Sequence, residues 1–254
     1  MEFRYRATVE YDGTDFQGFQ IQASGRTVQG ELERAIEQIT QSQVRILGAG
    51  RTDAGVHASG QVIAFNVSWR HTTQDLHRAL NAILPADIAI KELAKAHPAF
   101  HPRFDAERRH YRYTILNGST RSPLWARRAH HVPEPLDLEA MQEASQMLIG
   151  HHDFAAFGRP TQGETTVRHV AQAEWREESP DDLTGKLLVF DITANAFLYR
   201  MVRNIVGTLL RVGRGELSAA DIGRLLGSGD RADAGPSVPP CGLCLVSVEY
   251  RDNP

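Results

Sequence analysis

The feature that most constrains this chain is an order of hydrophobic periods that occurs twice. Residues 3–11 (FRYRATVEY) alternate apolar and polar, the period of a half-buried strand. Thr27 is placed to cap a helix over about 28–40, in which Val28, Leu32, Ala35, Ile36 and Ile39 share one face. VRILGAG (44–50) and QVIAFNV (61–67) read as two strands joined by a glycine-rich loop. A helix over about 73–83 turns Leu76, Leu80 and Ile83 inward, and DIAIKELA (87–94) is a short strand. The order is β-α-β-β-α-β, the split unit of ferredoxin-like folds.

The second half repeats that order without repeating the letters. RHYRYTIL (109–116) alternates as a strand, and a helix runs from its cap Asp137 to Leu148, stopped near Gly150. TVRHVAQAEW (166–175) and KLLVFDIT (186–193) are strands. A strongly apolar helix over about 197–212, a shorter one over 218–226 and a closing strand GLCLVSVEY (242–250) complete the set. The expected class is α/β, more narrowly α+β. Two ferredoxin-like halves, 1–106 and 107–254, are expected to pack with a mixed or antiparallel sheet and an active-site cleft between them, linked by PAFHPRFDAE (98–107).

At 254 residues the chain can bury a full core without metal or disulfide staples. Its 41% hydrophobic and 23% charged content excludes wholesale disorder, and no apolar run approaches the ~20 residues that span a bilayer. MEFRYRATVE lacks the apolar core of an export signal, and two cysteines suit a reducing compartment, so a cytoplasmic location with no membrane partner is expected. Net charge is −3, which by itself argues against nucleic acid. Its distribution argues the other way. Residues 101–131 carry seven Arg against two acids, and 192–214 carry four Arg and no acid, while 132–191 between them carry twelve acids against four bases. Such runs are often solvated faces, yet a polyanion responds to the local field.

Residues 48–58 (GAGRTDAGVHA) place Arg51, Asp53 and His57 within seven residues of a backbone loosened by Gly48, Gly50 and Gly55. The spacing fits neither a dinucleotide fingerprint nor a P-loop. Read alone, the loop is equally a turn in which Asp53 bonds its own backbone. Tyr111, Tyr113 and Ile115 share a strand face that read alone is core. On FLYRMVRNIVGTLLR, Arg200, Arg203, Asn204, Gly207 and Arg211 form a polar stripe on an otherwise apolar helix, either solvated or facing a partner. Cys241 and Cys244 form a C-x-x-C with no second pair for zinc, and it enters a strand rather than a helix, so neither metal nor redox chemistry is expected of it. His151-His152-Asp153 reads as packing and helix termination rather than as a metal site.

GAGRTDAGVHASGQV closely resembles the catalytic loop of the tRNA pseudouridine synthase A family. In the same order, TVQGELERAI, ALNAILPADI, FHPRFDAERRHYRYTI, GHHDFAAF, FLYRMVRNIVGTLLRVGRG and PPCGLCLVSVEY resemble that family as well, so the likeness covers nearly the whole chain. One departure is visible: Gly18-Phe19-Gln20 stands where the family usually has Gly-Trp-Gln. The resemblance implies an isomerase that converts uridine to pseudouridine in the tRNA anticodon arm (positions 38–40), a homodimer, and no cofactor or metal. It implies Asp53 as the reacting carboxylate, Tyr111 against the target base, and Arg203 paired with Asp53. Arg51 is implied either to hold phosphate or to fill the space of a flipped base, and His57 to orient the loop.

The reaction suits those groups. Isomerisation breaks the bond from base nitrogen to ribose and remakes it through carbon, with no net redox change. It needs an activated group and a base held out of its stack. Three routes are open to the carboxylate: attack on ribose C1′, attack on the uracil ring, or removal of a ribose proton. Two other classes compete. A non-catalytic RNA-binding or RNA-chaperone protein would use the basic blocks but needs no such carboxylate. A hydrolase using Asp53 as phosphoryl acceptor would want a second carboxylate and Mg²⁺ near the loop.

Overall fold

A computed structural model describes residues 2–161, 163–180 and 183–251. The chain divides into two units, Met1–Glu107 with Cys244–Pro254, and Arg108–Leu243.

In the first unit the elements run β1 (Glu2–Tyr11), α1 (Val28–Thr40), β2 (Leu47–Gly48), β3 (His57–Ser68), α2 (Thr73–Ile83) and β4 (Ile88–Lys95). β1 lies antiparallel between β3 and β4, and β2 pairs with β3. The resulting order β4-β1-β3-β2 is that of the ferredoxin-like split unit. Both helices start where capping chemistry places them. The Thr27 hydroxyl accepts the Gly30 N–H at 3.2 Å, and Thr72 and Asp75 form a reciprocal capping box. α1 buries Val28, Leu32, Ala35 and Ile36; α2 buries Leu76 and Leu80. Ile83, expected inward, is 38% exposed because it is the last residue of α2 and the chain turns to extended backbone at Leu84.

The second unit holds β5 (Ala106–Asn117), which begins at the boundary, then β6 (His130–Val132), α3 (Leu138–Gln146), β7 (Gly150–Asp153), β8 (Val167–Glu178), β9 (Lys186–Ala194), α4 (Met201–Gly213) and α5 (Ala219–Ser228). β9 is antiparallel to β5 and β8, and β7 is an edge strand on β8. His151-His152-Asp153 is therefore strand, not helix termination, and the His151 ring stacks on His169 across the pair with centroids 4.3 Å apart. Asp137 caps α3 through the Ala140 N–H, and Trp175 ties β8 to α3 through Ser145 Oγ at 3.0 Å. α4 starts four residues later than its apolar pattern. Tyr199 is bridged to Arg159, and Arg200 sits at φ 59°, outside the helical region.

The last strand, β10 (Leu243–Tyr250), was expected to close the second half but pairs within the first unit: Cys244 and Leu245 run parallel to His57 and Ala58 of β3. Several contacts hold it there. Tyr250 donates to the Pro102 carbonyl at 2.8 Å, packs edge-on against Phe100, and lies under the Arg6 guanidinium. Gly60 is required opposite it, because a Cβ there would lie 2.1 Å from the Val246 carbonyl oxygen. Among the described residues no helix is long and apolar enough to cross a membrane.

Candidate active site

Arg51, Asp53 and His57 lie on one loop of the first unit, between β2 and the start of β3. Asp53 opens a turn closed by the Val56 N–H on the Asp53 carbonyl at 3.2 Å, with Gly55 at φ 77° in the third position, as a type II turn demands. The turn therefore uses Asp53 backbone, and its half-buried side chain is not what closes it. Arg51 is exposed.

A second segment, residues 11–19, clamps this loop. Tyr11 hydroxyl and Thr52 Oγ1 share a hydrogen bond at 2.8 Å, Phe19 N–H donates to the Thr52 carbonyl at 3.0 Å, and Gly55 N–H donates to the Phe16 carbonyl at 3.3 Å. His57 Nδ1 accepts the Gly13 N–H at 3.0 Å and lies 3.2 Å from an Asp12 carboxylate oxygen, so His57 joins the clamp to the loop. Gly13 permits this approach: a Cβ there would lie 1.9 Å from the Val56 carbonyl oxygen. From the far side, buried Gln61 donates to the Gly50 carbonyl at 2.9 Å. Phe19, the departure from the family pattern, is buried with its ring over Gly48. Arg26 holds the clamp in turn, forked onto Asp87 at 2.5 and 2.9 Å with its guanidinium 4.2 Å from the Phe16 centroid; the Asp87 bonds push its pKa up. The sequence reading missed segment 11–19 as a supporting element. Its Asp12-Gly13 turn pair was the available signal.

In the second unit, Tyr111 lies on β5 and is 9% exposed, with its ring edge-on to Phe197 at 5.0 Å. Its strand neighbour Tyr113 is core, as expected. Its hydroxyl donates to the Pro239 carbonyl at 2.8 Å, and burial pushes its pKa far up. Arg203 on α4 is half-buried, and its Nε donates to the Val238 carbonyl at 2.7 Å. From Arg203 to Arg211 the polar stripe is thus roofed rather than solvated, whereas Arg200, at the helix cap, is exposed. Arg211 donates to the Asp233 carbonyl, Thr208 accepts the Gly235 N–H, and Gly207 lies so close to Pro236 that a Cβ would meet its carbonyl at 1.8 Å. The Arg203 charge is felt by Tyr113 and by Cys241, whose thiol burial pushes up in pKa. The basic block 101–131 is only partly available to a polyanion. Arg112 bonds the buried Asp191 together with His110 and Arg176, whereas Arg108, Arg121, Arg127 and Arg128 are exposed.

A sheet backed by helices, carrying a rigid loop that presents a carboxylate, with arginines exposed elsewhere, defines the class: an α+β protein suited to chemistry on a polyanion. Known proteins narrow it. The family profile described as tRNA pseudouridine synthase matches residues 7–105 and 144–251. A protein called tRNA pseudouridine synthase A from Chloroflexus aurantiacus is 47% identical over 246 residues, covering 94% of this chain and 86% of that one. Proteins of the same name from Geobacillus sp. and Citrifermentans bemidjiense are 44% and 43% identical, covering 98% and 96% of this chain and 99% and 96% of their own. The chain belongs to the tRNA pseudouridine synthase family.

Proposed function

We infer that the protein isomerises uridine to pseudouridine in tRNA, acting as a homodimer on the anticodon arm (positions 38–40) in the cytoplasm. The observation that carries this is the RTDAG loop, a turn at Asp53 closed by the Val56 N–H on the Asp53 carbonyl and clamped by residues 11–19. Its carboxylate is the group that reacts. Arg51, exposed on the same loop, meets the phosphate or the gap left by the flipped base. Tyr111 lies against the base, and Arg203 pairs with Asp53 as its counter-charge. His57 acts through the loop, by its bond to Gly13. This chemistry calls on no cofactor or metal.

The overall bond change sets the test. The bond from ribose C1′ to uracil N1 breaks, C1′ bonds to C5, the hydrogen on C5 leaves to water as a proton, and N1 takes up a proton. Release of tritium from tRNA labelled at uracil C5, measured in EDTA, is the expected result. tRNA binding without release would identify an RNA-binding protein instead. A monomer mass by light scattering at micromolar concentration would remove the homodimer from this reading, and conversion confined to uridines outside positions 38–40 would remove the anticodon arm.

A further inference from the structure

The turn at residues 101–105 of the first unit holds an aromatic ring out to solvent. Phe104 is 69% exposed, although the chain on either side of the turn is anchored. Before it, Phe100 is buried and its carbonyl accepts two bonds from the Arg4 guanidinium, at 3.1 and 2.8 Å. Within it, the Pro102 carbonyl is held by the Tyr250 hydroxyl. The turn is also bonded internally. His101 Nδ1 accepts the N–H groups of Arg103 and Phe104 at 3.2 and 3.3 Å, Asp105 Oδ2 accepts the His101 N–H at 2.8 Å, and the Asp105 N–H returns to the His101 carbonyl at 3.1 Å. The Phe104 ring rests on the His101 imidazole, centroids 4.2 Å apart at 34°, with the Arg103 guanidinium 5.9 Å from its centroid.

A lone exposed apolar side chain is ordinary. This one differs because its ring is stacked on one face and held in place before any ligand arrives. It also stands in the most basic stretch of the chain, with exposed Arg108 four residues on. A flat, pre-ordered π-surface with a guanidinium at its rim matches an unstacked nucleobase, whose own faces are flat and whose phosphate is anionic. We propose that Phe104, backed by His101 and rimmed by Arg103, is a stacking platform for an unpaired base of the RNA substrate. The proposal rests on the tRNA reading and adds to it a contact that binds without reacting.

The test compares Phe104→Ala, Phe104→Leu and Phe104→Trp with the unaltered protein. Because the ring is exposed, melting temperatures should not change. Phe104→Ala should weaken tRNA binding and raise KM about tenfold, the scale of one lost base–aromatic stack, with kcat at saturating tRNA unchanged. Leu keeps apolar bulk without a flat ring and should bind as weakly as Ala. Trp should restore affinity, and its fluorescence should be quenched by tRNA. Equal tRNA affinity for the Ala and unaltered proteins, or an unquenched Trp in the bound state, overturns the platform. So does a Phe104→Ala protein whose altered property is self-association at unchanged tRNA affinity. Tritium release by the unaltered protein is scored separately, so loss of the platform and loss of the isomerase reading remain distinguishable.

Discussion

The Asp53 loop and the α4 stripe are both polar stretches held by a segment remote in sequence, and they are held in opposite ways. In the loop, residues 11–19 bond the backbone at the Thr52 carbonyl and the Gly55 N–H, and the side chains of Thr52 and His57 on either side of Asp53. On α4 the side chains themselves are engaged, Arg203 and Arg211 by the carbonyls of Val238 and Asp233 and Asn204 by that of Phe157. A backbone-held loop can lose a side chain and keep its shape. A side-chain-held stripe cannot. The same kind of substitution should therefore separate chemistry from stability in the first region and mix them in the second.

The largest effect is expected at Asp53. Both Asp53→Ala and Asp53→Asn should reduce single-turnover pseudouridine formation by roughly a thousandfold or more, the scale of losing a reacting group. Because the Val56 N–H is held by the Asp53 carbonyl, both variants should keep the turn and remain folded, as a cooperative melt would show. Both should also bind tRNA as well, since phosphate contacts come from arginines. Turnover by the Asn variant above a trace would remove Asp53 from the reaction and break the comparison at its first term.

Arg203→Met should lower turnover and stability together. It removes the bond to the Val238 carbonyl, worth about 1.5–3 kcal/mol for a charged donor. It also removes the proposed counter-charge of Asp53, so turnover should fall by more than the loss of stability explains. Arg203→Lys keeps the charge without the fork and should restore part of the turnover. A Met variant with near-normal turnover at neutral pH would show that Arg203 serves only the roof.

Alanine at Gly13 and at Gly207 forces a Cβ onto a carbonyl in each region, at 1.9 and 1.8 Å, so both backbones must shift, at about 1–3 kcal/mol each. Thermal melts should show similar losses. Gly13→Ala should in addition cost turnover in excess of its stability loss, because the displaced partner is Val56, at the end of the Asp53 turn. Equal activity losses at both glycines would erase the distinction between the regions.

The smallest effect is expected at the cysteines. Cys241 donates to the Ala129 carbonyl at 3.7 Å and Cys244 lies on β10, so the Cys241→Ser, Cys244→Ser double variant should turn over within about threefold of the unaltered protein, as substitutions away from the reacting groups do. Complete loss of activity in a folded double variant would overturn the reading of that motif.

The long elements were legible because their signals are local. Thr27 caps a helix, the 73–83 helix has the bounds its periodicity gives, and alternation marks β1 and β5. The two strands that were not foreseen, β6 and β7, have three and four residues and too few positions to show a period. The Asp53 loop was legible as a motif, whereas its clamp was not, because Tyr11, Gly13 and Phe19 meet it across 33 to 44 residues.

The sequence by itself determined the long secondary-structure elements, the β-α-β-β-α-β order of the first unit and the family, through spacings of a few residues and the residue types placed on them. Tertiary structure alone decided that β10 joins the first unit, that the α4 stripe is roofed, and that Phe104 faces water while Phe100 does not. Each of those depends on which remote backbone comes within hydrogen-bond distance. A buried carbonyl or N–H must find a partner wherever the fold brings one, and no spacing along the chain records which partner that is.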